Sequence, residues 1–397
     1  MRLVALLAAL TLLAWPATAS LYDDQPPPPF FADDLDQLTF SSEPWDERFF
    51  DVPMQPRVHT LVYKRFRGVD YHVDVYLPHE EEHRRRAADS GAPVLTFYHG
   101  GGMCAGARYL DAGMGTWLRD AVEAGFVVMT FDYTLASPFS AFQIINDVKD
   151  GLLFIRDELN DILAEKDTAV RVDPARVAVS GQSGGGCVAY YAAQHSPYPL
   201  KGLLAFYAEG GDFMLDWYLQ KKKEPFLGGF PLIDDPTPYK HLRDADPDAT
   251  PPTVESGDNA RGMYYYWLLQ AGQAVDVFTG VRGLSKTLRA LPLKERDAAV
   301  PTEAAPAIPH LNISAAFPPS YLLHGVLDTV VHLAESQNMR KRLKKAGVEV
   351  KLWEVEGGEH GFDGVGWEQG PGGHDPELTR KRDEGLETIV PWLLEHV

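Results

Sequence analysis

The sequence predicts an α/β fold built on a mostly parallel, twisted sheet of about eight strands, with helices on both faces. Short apolar runs alternate with longer helical patterns from the third run onward, which is the order that produces parallel strands. Glycine, serine, aspartate and histidine follow directly after several of these runs. Since ligands of such sheets bind beyond the carboxyl ends of the strands, we expect the functional site at that edge.

Eight runs rich in β-branched and aromatic residues account for the strands. They are Leu61 to Phe66, Tyr71 to Leu77, Val94 to Tyr98, Val127 to Phe131, Val177 to Ser180, Gly202 to Phe206, Ser320 to Leu323 and Val348 to Val355. The first two are joined by a tight turn, so we expect an antiparallel hairpin at the edge of the sheet. Helices are predicted over Tyr109 to Ala124, Ala141 to Ala164, Gly184 to Gln194, His332 to Ala346 and Pro376 to His396.

The segment from Val177 to Cys187 carries the strongest functional signal. An apolar strand runs into Gly181-Gln182-Ser183-Gly184-Gly185 and then into a helical pattern, which is typical of a nucleophile elbow. The central serine of such a turn is strained, and the glycines at 181 and 185 leave the room that it needs. We predict that Ser183 is a nucleophile and that the amide of Gly184 stabilises an oxyanion.

A glycine loop follows the third predicted strand. His99-Gly100-Gly101-Gly102 ends the run from Val94 to Tyr98. The backbone amides of a loop without side chains can point at a carbonyl oxygen. Gly100 and Gly101 therefore join Gly184 in the predicted oxyanion hole.

A candidate acid and a candidate base follow the last two strands. Asp328 lies in the loop after Ser320 to Gly325, and His360 lies in the glycine-containing loop after Val348 to Val355. With Ser183 they make up a Ser-His-Asp triad in which each member comes just after a strand. Such a triad acts through an acyl-enzyme and needs no metal ion and no organic cofactor.

With these motifs the chain resembles the α/β-hydrolases of the hormone-sensitive-lipase-like branch, the esterases with a His-Gly-Gly-Gly loop. The resemblance covers roughly His59 to the C-terminus. It rests on His99 to Gly102, Asp132 to Ala136, Gly181 to Gly185, Gly325 to Asp328 and His360 to Phe362. The order serine, aspartate, histidine is also the order that this superfamily uses. Thr134 and Ser137-Pro138 stand where the family often has arginine, proline and glutamate, so the chain is identified as a divergent member.

Several neighbouring polar residues compete for the same roles. Ser180 belongs to the strand before the elbow, and His99 is expected to brace the glycine loop by hydrogen bonding. The resemblance implies that Asp132 anchors its own loop.

Other carboxylates and imidazoles lie near Asp328 and His360. Three acids, Glu356, Glu359 and Asp363, are so close in sequence to His360 that a partner from another strand gives the better geometry. His324, Asp328 and His332 have a spacing that suggests metal ligands on one helix, but His324 ends a strand, so we predict no metal site.

The segment from about 207 to 318 is longer than a connection between strands needs, and we predict that it forms an inserted cap. Asp212 to Leu219 and Gly262 to Leu269 are its aromatic-rich helical candidates. Trp217 and Tyr218 are predicted to line a substrate pocket over Ser183. The alternative is that these aromatic residues form the cap's own small core.

The N-terminus and the charge favour one secreted globular enzyme. Residues 1–19 have a basic start, an apolar run and Ala17-Thr18-Ala19, a pattern typical of a signal peptide, with a buried helix or membrane anchor as the alternative. Residues 20–57 are expected to form an arm and 58–397 the catalytic domain. The 37 basic and 56 acidic residues give a net charge of −19, which disfavours nucleic acid and anionic membranes as partners. No later segment is apolar enough to predict stable membrane insertion.

The two cysteines and one sequon lead to further hypotheses. Cys104 follows the glycine loop and Cys187 lies one helical turn beyond Ser183, in segments that meet at the active site of an α/β-hydrolase. A disulfide between them and two buried thiols are the alternatives. Asn312-Ile313-Ser314 predicts a glycosylation site on a surface connection.

The favoured function is hydrolysis of a small-molecule carboxylic ester by a secreted serine hydrolase. An amidase or peptidase shares the same acyl-transfer chemistry. A hydrolase-fold binding protein without turnover is an alternative of a different class. The complete triad argues against it, because a binding role needs neither a base nor an acid.

Overall fold

The computed structural model describes residues 57–108, 117–166, 168–235, 237, 239, 242, 251, 260–364, 367 and 371–397. The predicted signal peptide and nearly all of the predicted arm lie outside the described residues. The first half of the helix predicted over Tyr109 to Ala124 lies outside them as well.

The core of the molecule is an eight-stranded sheet in the order β1-β2-β4-β3-β5-β6-β7-β8. The strands are β1 (Arg57–Phe66), β2 (Val69–Leu77), β3 (Ala92–Tyr98), β4 (Val127–Phe131), β5 (Val172–Gln182), β6 (Gly202–Phe206), β7 (Ser320–Gly325) and β8 (Val350–Val355). β2 pairs antiparallel with both β1 and β4. All later neighbours are parallel. The predicted fold class, the number of strands and the edge hairpin are thereby confirmed.

Helices follow most of the parallel strands, as the alternating pattern predicts. In chain order they are α1 (Glu81–Ser90), α2 (Trp117–Glu123), α3 (Ala141–Asp157), α4 (Leu159–Glu165), α5 (Gly184–His195), α6 (Asp216–Leu219), α7 (Ala260–Ala271), α8 (Ala274–Thr279), α9 (Leu284–Arg289), α10 (Leu293–Ala299), α11 (Ala334–Lys345), α12 (Pro376–Leu386) and α13 (Ile389–His396). Short 3₁₀ turns lie at Ala305–Ala307, Pro309–Leu311 and Pro371–His374. None of the described helices is both long and apolar enough to cross a membrane.

Two predicted helices are each divided in the structure. The first is interrupted at Glu158, where the side chain of Asn160 exchanges hydrogen bonds with the backbone of Val172 and ties α4 to the start of β5. The second is interrupted between α12 and α13, where Gly385 lies against the ring of Trp353. Periodicity alone does not reveal these breaks, because their causes are contacts with distant strands.

Two hydrophobic cores cover the two faces of the sheet. Along β3, the side chains of Val94 and Tyr98 belong to one core, and those of Leu95 and Phe97 belong to the other. This division follows from the alternation of side chains along a strand. Because both faces are covered, the central strands are predominantly apolar, and the candidate functional groups lie at the ends of the strands.

The segment between β6 and β7, which we call the insertion (207–318), packs directly on the larger of the two cores. Phe213, Tyr264, Leu268 and Phe278 of the insertion belong to the same hydrophobic cluster as Val179 of β5. Arg261 attaches α7 to the glycine-loop side of the molecule, since its guanidinium donates to the carbonyls of Cys104, Ala136 and Ser137. The insertion therefore shares its core with the sheet, which differs from the separate small core weighed in the sequence analysis.

Candidate active site

Ser183 occupies the turn between β5 and α5. Its backbone lies at φ 54° and ψ −126°, in the left-handed region that a side-chain-bearing residue rarely adopts. A Cβ atom on Gly181 would lie 2.1 Å from the carbonyl oxygen of Gly185, and one on Gly185 would lie 2.0 Å from that of Tyr98. The two glycines therefore permit the sharp reversal, and the predicted elbow geometry is present.

The glycine loop after β3 lies against the start of α5. A Cβ atom on Gly100 would be 3.3 Å from the Cβ atom of Ser183. One on Gly184 would be 2.7 Å from the amide nitrogen of Gly102 and 2.6 Å from that of Met103. The loop and the helix N-terminus thus bring several backbone amides to the side of the serine.

His360 joins Ser183 to Asp328, although the three residues are widely separated in sequence. Nδ1 of the imidazole lies 2.8 Å from Oδ2 of Asp328, and Nε2 lies 3.0 Å from Oγ of Ser183. Since an ionised carboxylate can only accept, Nδ1 carries the proton and Nε2 is left to accept from the serine hydroxyl. The three side chains therefore form one continuous line of hydrogen bonds.

Asp328 is buried among groups that favour its charged form. Burial by itself would raise the pKa of this carboxyl, but the nearby imidazoles of His360 and His324 hold it well below its usual value. The backbone amides of Val330 and Val331 donate to its other oxygen at 2.8 and 2.9 Å. Asp328 is therefore ionised near neutral pH and fixed in orientation.

The three competing acids make hydrogen bonds or ion pairs with residues other than those of the proposed triad. Glu359 accepts from the amide and the hydroxyl of Thr329 at 3.1 and 3.3 Å. Asp363 accepts from Tyr207 at 2.8 Å and from Trp117 at 3.1 Å. Glu356 forms an exposed ion pair with Lys381.

The other polar residues near the motifs take structural roles. Ser180 donates to the carbonyl of Thr96 at 2.6 Å within the sheet. His99 is buried, stacks on Tyr133 with 4.2 Å between ring centroids, and lies in the strand-to-loop junction. Asp132 forms an ion pair with Arg108 and accepts from its amide, so it anchors the start of its loop.

His324 lies beside the carboxylate of Asp328, and its Nε2 also lies 2.7 Å from the carbonyl oxygen of Val331. Its Nε2 lies 3.4 Å from Asp328 Oδ2, and its Nδ1 lies 2.7 Å from the hydroxyl of Ser336. Among the residues that the structure describes, no group of three or more His, Cys, Asp or Glu side chains is placed to hold a metal ion.

Three residues of the site were not found by sequence reasoning: Tyr207, Glu209 and Tyr265. The ring of Tyr207 lies 4.5 Å from the imidazole of His360, centroid to centroid. Glu209 is fully buried, and its amide donates to the carbonyl of Ser183 at 3.0 Å. Tyr265 contacts Gly102 with its ring and donates its hydroxyl to Glu209. Tyr207 and Glu209 lie just after the end of β6, as the other candidate site residues lie just after their strands. This position in the sequence is the signal that could have identified them.

The two aromatic residues predicted to line the substrate pocket have different surroundings. Tyr218 is fully buried and donates its hydroxyl to Glu335, and its contact with substrate stays a prediction. Trp217 is half-buried between the imidazole of His332, 4.4 Å from its ring centroid, and the ammonium of Lys222, 4.8 Å away. Its contact with substrate stays a prediction.

The structure contains two buried thiols, so the disulfide alternative for Cys104 and Cys187 is wrong. Burial raises the pKa of the Cys104 thiol to about 12 and raises that of Cys187 as well. Sγ of Cys187 is directed at Gly210, where an added Cβ atom would lie only 2.9 Å from it. Each thiol acts as a small apolar group in the core.

The sequon asparagine is tied to the backbone of the insertion. The amide nitrogen of Asn312 donates to the carbonyls of Ala305 and Ile308 at 2.6 and 3.0 Å. A glycan on this nitrogen would replace one of the two hydrogens that make these bonds. Glycosylation at this position stays a prediction.

Comparisons with known proteins find similarity over parts of the chain. The BD-FAE family model matches residues 73–201, which include the glycine loop and the elbow. Over 70% of its length the chain is 24% identical to a protein named Probable carboxylesterase M8 from Phoma sp., of which it covers 83%. It is also 26% identical, over 78% of its length, to the Non-reducing polyketide synthase ausA of Aspergillus calidoustus, of which it covers 13%. The chain thus spans about one seventh of the length of the polyketide synthases that it matches.

A solved structure with a similar outline is that of a thermophilic esterase from the Planctomycetes species Thermogutta terrifontis. It shares 19% identity with the chain at a TM-score of 0.48, covering 84% of this chain and 92% of that one. The family match spans the part of the chain that holds the glycine loop and the elbow. The chain therefore has a mostly parallel α/β sheet and is similar, over residues 73–201, to the BD-FAE family.

Proposed function

We propose that the protein hydrolyses carboxylic esters of small molecules, with Ser183, His360 and Asp328 as its catalytic triad. The observation that carries the proposal is the unbroken line of contacts from Asp328 through His360 to Ser183, at 2.8 and 3.0 Å. A binding protein would gain nothing from a base held within reach of a hydroxyl on a strained turn.

In the first half of the proposed reaction, the oxygen of Ser183 attacks the ester carbonyl while Nε2 of His360 takes its proton. Asp328 keeps the proton of Nδ1 in place and stabilises the imidazolium. The negative charge that develops on the carbonyl oxygen is received by the amides of Gly100, Gly101 and Gly184. His360 then gives its proton to the leaving alcohol oxygen, which leaves the acyl group on the serine.

In the second half, water replaces the alcohol. His360 removes a proton from the water, the resulting hydroxide attacks the acyl-enzyme, and the same oxyanion site stabilises the second tetrahedral intermediate. Collapse of this intermediate releases the carboxylic acid and returns the proton to Ser183. The cycle balances with water as the sole co-reactant.

The proposal is tested with p-nitrophenyl esters of short and long acyl chains and with a matched amide. We expect ester turnover by the wild-type protein, loss of turnover in Ser183→Ala, and covalent labelling of Ser183 by a fluorophosphonate. Amide cleavage at comparable rates would instead make the protein an amidase. A folded wild-type protein that neither turns over esters nor accepts the label would be a binding protein.

We also propose that the protein is exported, on the basis of the signal-peptide pattern in residues 1–19. Expression of the whole chain should yield culture supernatant in which the protein begins near residue 20. Retention of an uncleaved chain in the cell would contradict this proposal.

A further inference from the structure

Five residues form a closed circuit of contacts around the proposed nucleophile. The circuit runs from Ser183 to Gly184, Gly102, Tyr265 and Glu209, and returns to Ser183. Gly102, Ser183 and Glu209 lie just after β3, β5 and β6, Gly184 is the first residue of α5, and Tyr265 belongs to the helix α7 of the insertion. The circuit therefore links the insertion to the proposed oxyanion site.

On one side of the circuit, Gly102 is held between a backbone and an aromatic ring. A Cβ atom on Gly184 would lie 2.7 Å from the nitrogen of Gly102 and 2.8 Å from its Cα. A Cβ atom on Gly102 would lie 2.3 Å from Cδ2 of Tyr265 and 2.4 Å from Cγ. Gly102 has a φ of 58°, so its backbone is in the left-handed region where the loop turns. The ring of Tyr265 fills the space into which the backbone of Gly102 could otherwise move.

On the other side, Glu209 fixes the ring of Tyr265 relative to Ser183. The hydroxyl of Tyr265 donates to Oε1 of Glu209, and the amide of Glu209 donates to the carbonyl of Ser183 at 3.0 Å. Both side chains are fully buried. Oε2 of Glu209 is buried without a hydrogen-bond partner among the described residues. Burial, with the charge of Asp328, raises the pKa of Glu209 to about 8, so the group does not add a negative charge beside a developing oxyanion at neutral pH.

We propose that Tyr265 is a positioning residue for ester hydrolysis: its ring, anchored by Glu209, holds Gly102 and the neighbouring amides of the glycine loop in register with Ser183. The inference rests on the proposed function. It assigns to the insertion a part in stabilising the transition state.

This role has a distinct kinetic signature. An oxyanion site acts on charge that develops only in the transition state, so a displaced loop lowers kcat and leaves ground-state binding nearly unchanged. A residue that merely touched the substrate would change KM instead. A residue that merely stabilised the fold would change the melting temperature without changing the kcat of the folded fraction.

The test compares four variants in the full chain. Tyr265→Leu removes the ring, Tyr265→Phe removes the anchoring hydroxyl, and Glu209→Gln keeps an acceptor for that hydroxyl. Tyr266→Phe is the matched control, since its hydroxyl lies on the same helix but donates to the carbonyls of Phe230 and Pro231. For each variant we would measure kcat and KM for a p-nitrophenyl ester, inhibition by a trifluoromethyl ketone that forms a tetrahedral adduct, and the melting temperature.

We expect Tyr265→Leu to lower kcat by about 10- to 100-fold with KM within about twofold, less than the loss from deleting an oxyanion donor outright. Inhibition by the ketone should weaken by the same factor. The kcat of Tyr265→Phe should lie between those of Tyr265→Leu and the wild type, and Glu209→Gln, which keeps the acceptor, should lower kcat less than Tyr265→Phe does. The kcat of Tyr266→Phe should stay within a few-fold of the wild-type value.

Unchanged kcat and ketone inhibition in folded Tyr265→Leu would overturn the inference, as would a change confined to KM. If Tyr265→Leu does not fold, an unchanged ketone inhibition constant for Tyr265→Phe overturns it in the same way. An active wild-type protein with unaffected variants refutes this inference alone. An inert wild-type protein refutes the proposed function and this inference together.

Discussion

The amide of Glu209 donates a hydrogen bond to the carbonyl of Ser183, with 3.0 Å between nitrogen and oxygen. The loop after β6 is thereby attached to the strained turn after β5. The same carbonyl accepts from the amide of Gly186 at 3.0 Å, in the first turn of α5. Two donors fix the peptide that follows the proposed nucleophile, so the turn keeps its unusual φ without help from the serine side chain.

Removing the hydroxyl of Ser183 should abolish turnover and leave the fold intact. Ser183→Ala retains the Cβ atom and the two backbone bonds described above, so we expect kcat to fall by ~10,000-fold or more. Ser180→Ala is the matched control, because it loses a buried hydrogen bond to Thr96 and should cost about 1 kcal/mol of stability without loss of kcat. Equal activity losses in both variants would contradict the assignment of the nucleophile.

Replacing the acid of the triad should separate Asp328 from its rivals. In Asp328→Asn the amide can donate to Nδ1 of His360 and stabilise the wrong tautomer, so kcat should fall by ~10,000-fold. Glu359→Gln keeps an acceptor for Thr329 and should retain activity within a few-fold. Steady-state kinetics of the two variants, with circular dichroism to verify folding, would check this, and a larger loss in Glu359→Gln would contradict it.

A side chain added to the glycine loop should lower kcat because it would collide with neighbouring atoms, in addition to straining the backbone. Gly101 has a φ of 100°, and an added Cβ atom would lie 2.3 Å from the carbonyl oxygen of Ala105. Gly347 has a φ of 80° with no atom within 4 Å of an added Cβ. We expect Gly101→Ala to lower kcat by about 100-fold, the scale of one lost oxyanion donor.

Gly347→Ala is the control, and it should cost about 1 kcal/mol of stability with unchanged kcat. A melting curve and a kinetic assay on each variant would test the pair. Wild-type kcat in Gly101→Ala would show that the loop does not hold the oxyanion donors.

The pH dependence of stability should change when Glu209 is replaced. Burial, together with the charge of Asp328, raises the pKa of Glu209 from its ordinary 4.5 to about 8. Between these values the folded protein holds a proton that the unfolded chain releases, so the free energy of unfolding falls as pH rises through this range. The stabilisation is complete below about pH 4.5 and is lost above about pH 8.

The side chain of the Glu209→Gln variant cannot ionise, so the free energy of unfolding should fall less steeply with rising pH in this variant. Burial likewise raises the pKa of Glu359 to about 7, with a further contribution from the charge of Asp328, so part of the decline persists in the variant. Melting temperatures measured at pH 5, 7 and 9 should differ less for Glu209→Gln than for the wild type. An identical pH profile would contradict the shifted pKa of Glu209.

The two cysteines should resist alkylation until the protein unfolds. Both thiols are buried, and burial raises the pKa of each, so neither offers a thiolate at neutral pH. Iodoacetamide added without reductant should modify neither residue in the native protein and both after denaturation. Recovery of a peptide pair joined by a disulfide would contradict the structure at this point.

The sequence predicted the strands and the three triad candidates because their signals are local. Val127–Phe131 and Gly202–Phe206 have the predicted limits, since each is a continuous apolar run between turn residues. Ser183, Asp328 and His360 each follow such a run, and the topology of a parallel sheet brings them to one edge. For these strands, the local sequence pattern and the observed sheet agree.

The sequence did not predict Tyr207, Glu209, Tyr265 or the burial of Tyr218, because their roles depend on contacts across the insertion. Tyr265 lies in a run of aromatic residues on α7, and nothing in that run distinguishes the ring that meets Gly102 from its neighbours. Glu209 would be expected at the surface by residue type, yet it is fully buried. Such assignments need the distances between segments that are remote in sequence.

The continuous core beneath the insertion has a consequence for how the substrate range of such a protein can change. Removing or exchanging the insertion would expose apolar surface of the sheet. A chimera that carries the insertion of another protein would therefore be expected to aggregate before its selectivity could be measured. Changes in substrate range would then arise from single substitutions in the insertion. These would preserve the volume of its core-facing side chains and alter residues that face the ester. Directed evolution confined to such positions should yield more soluble variants than exchange of the whole insertion.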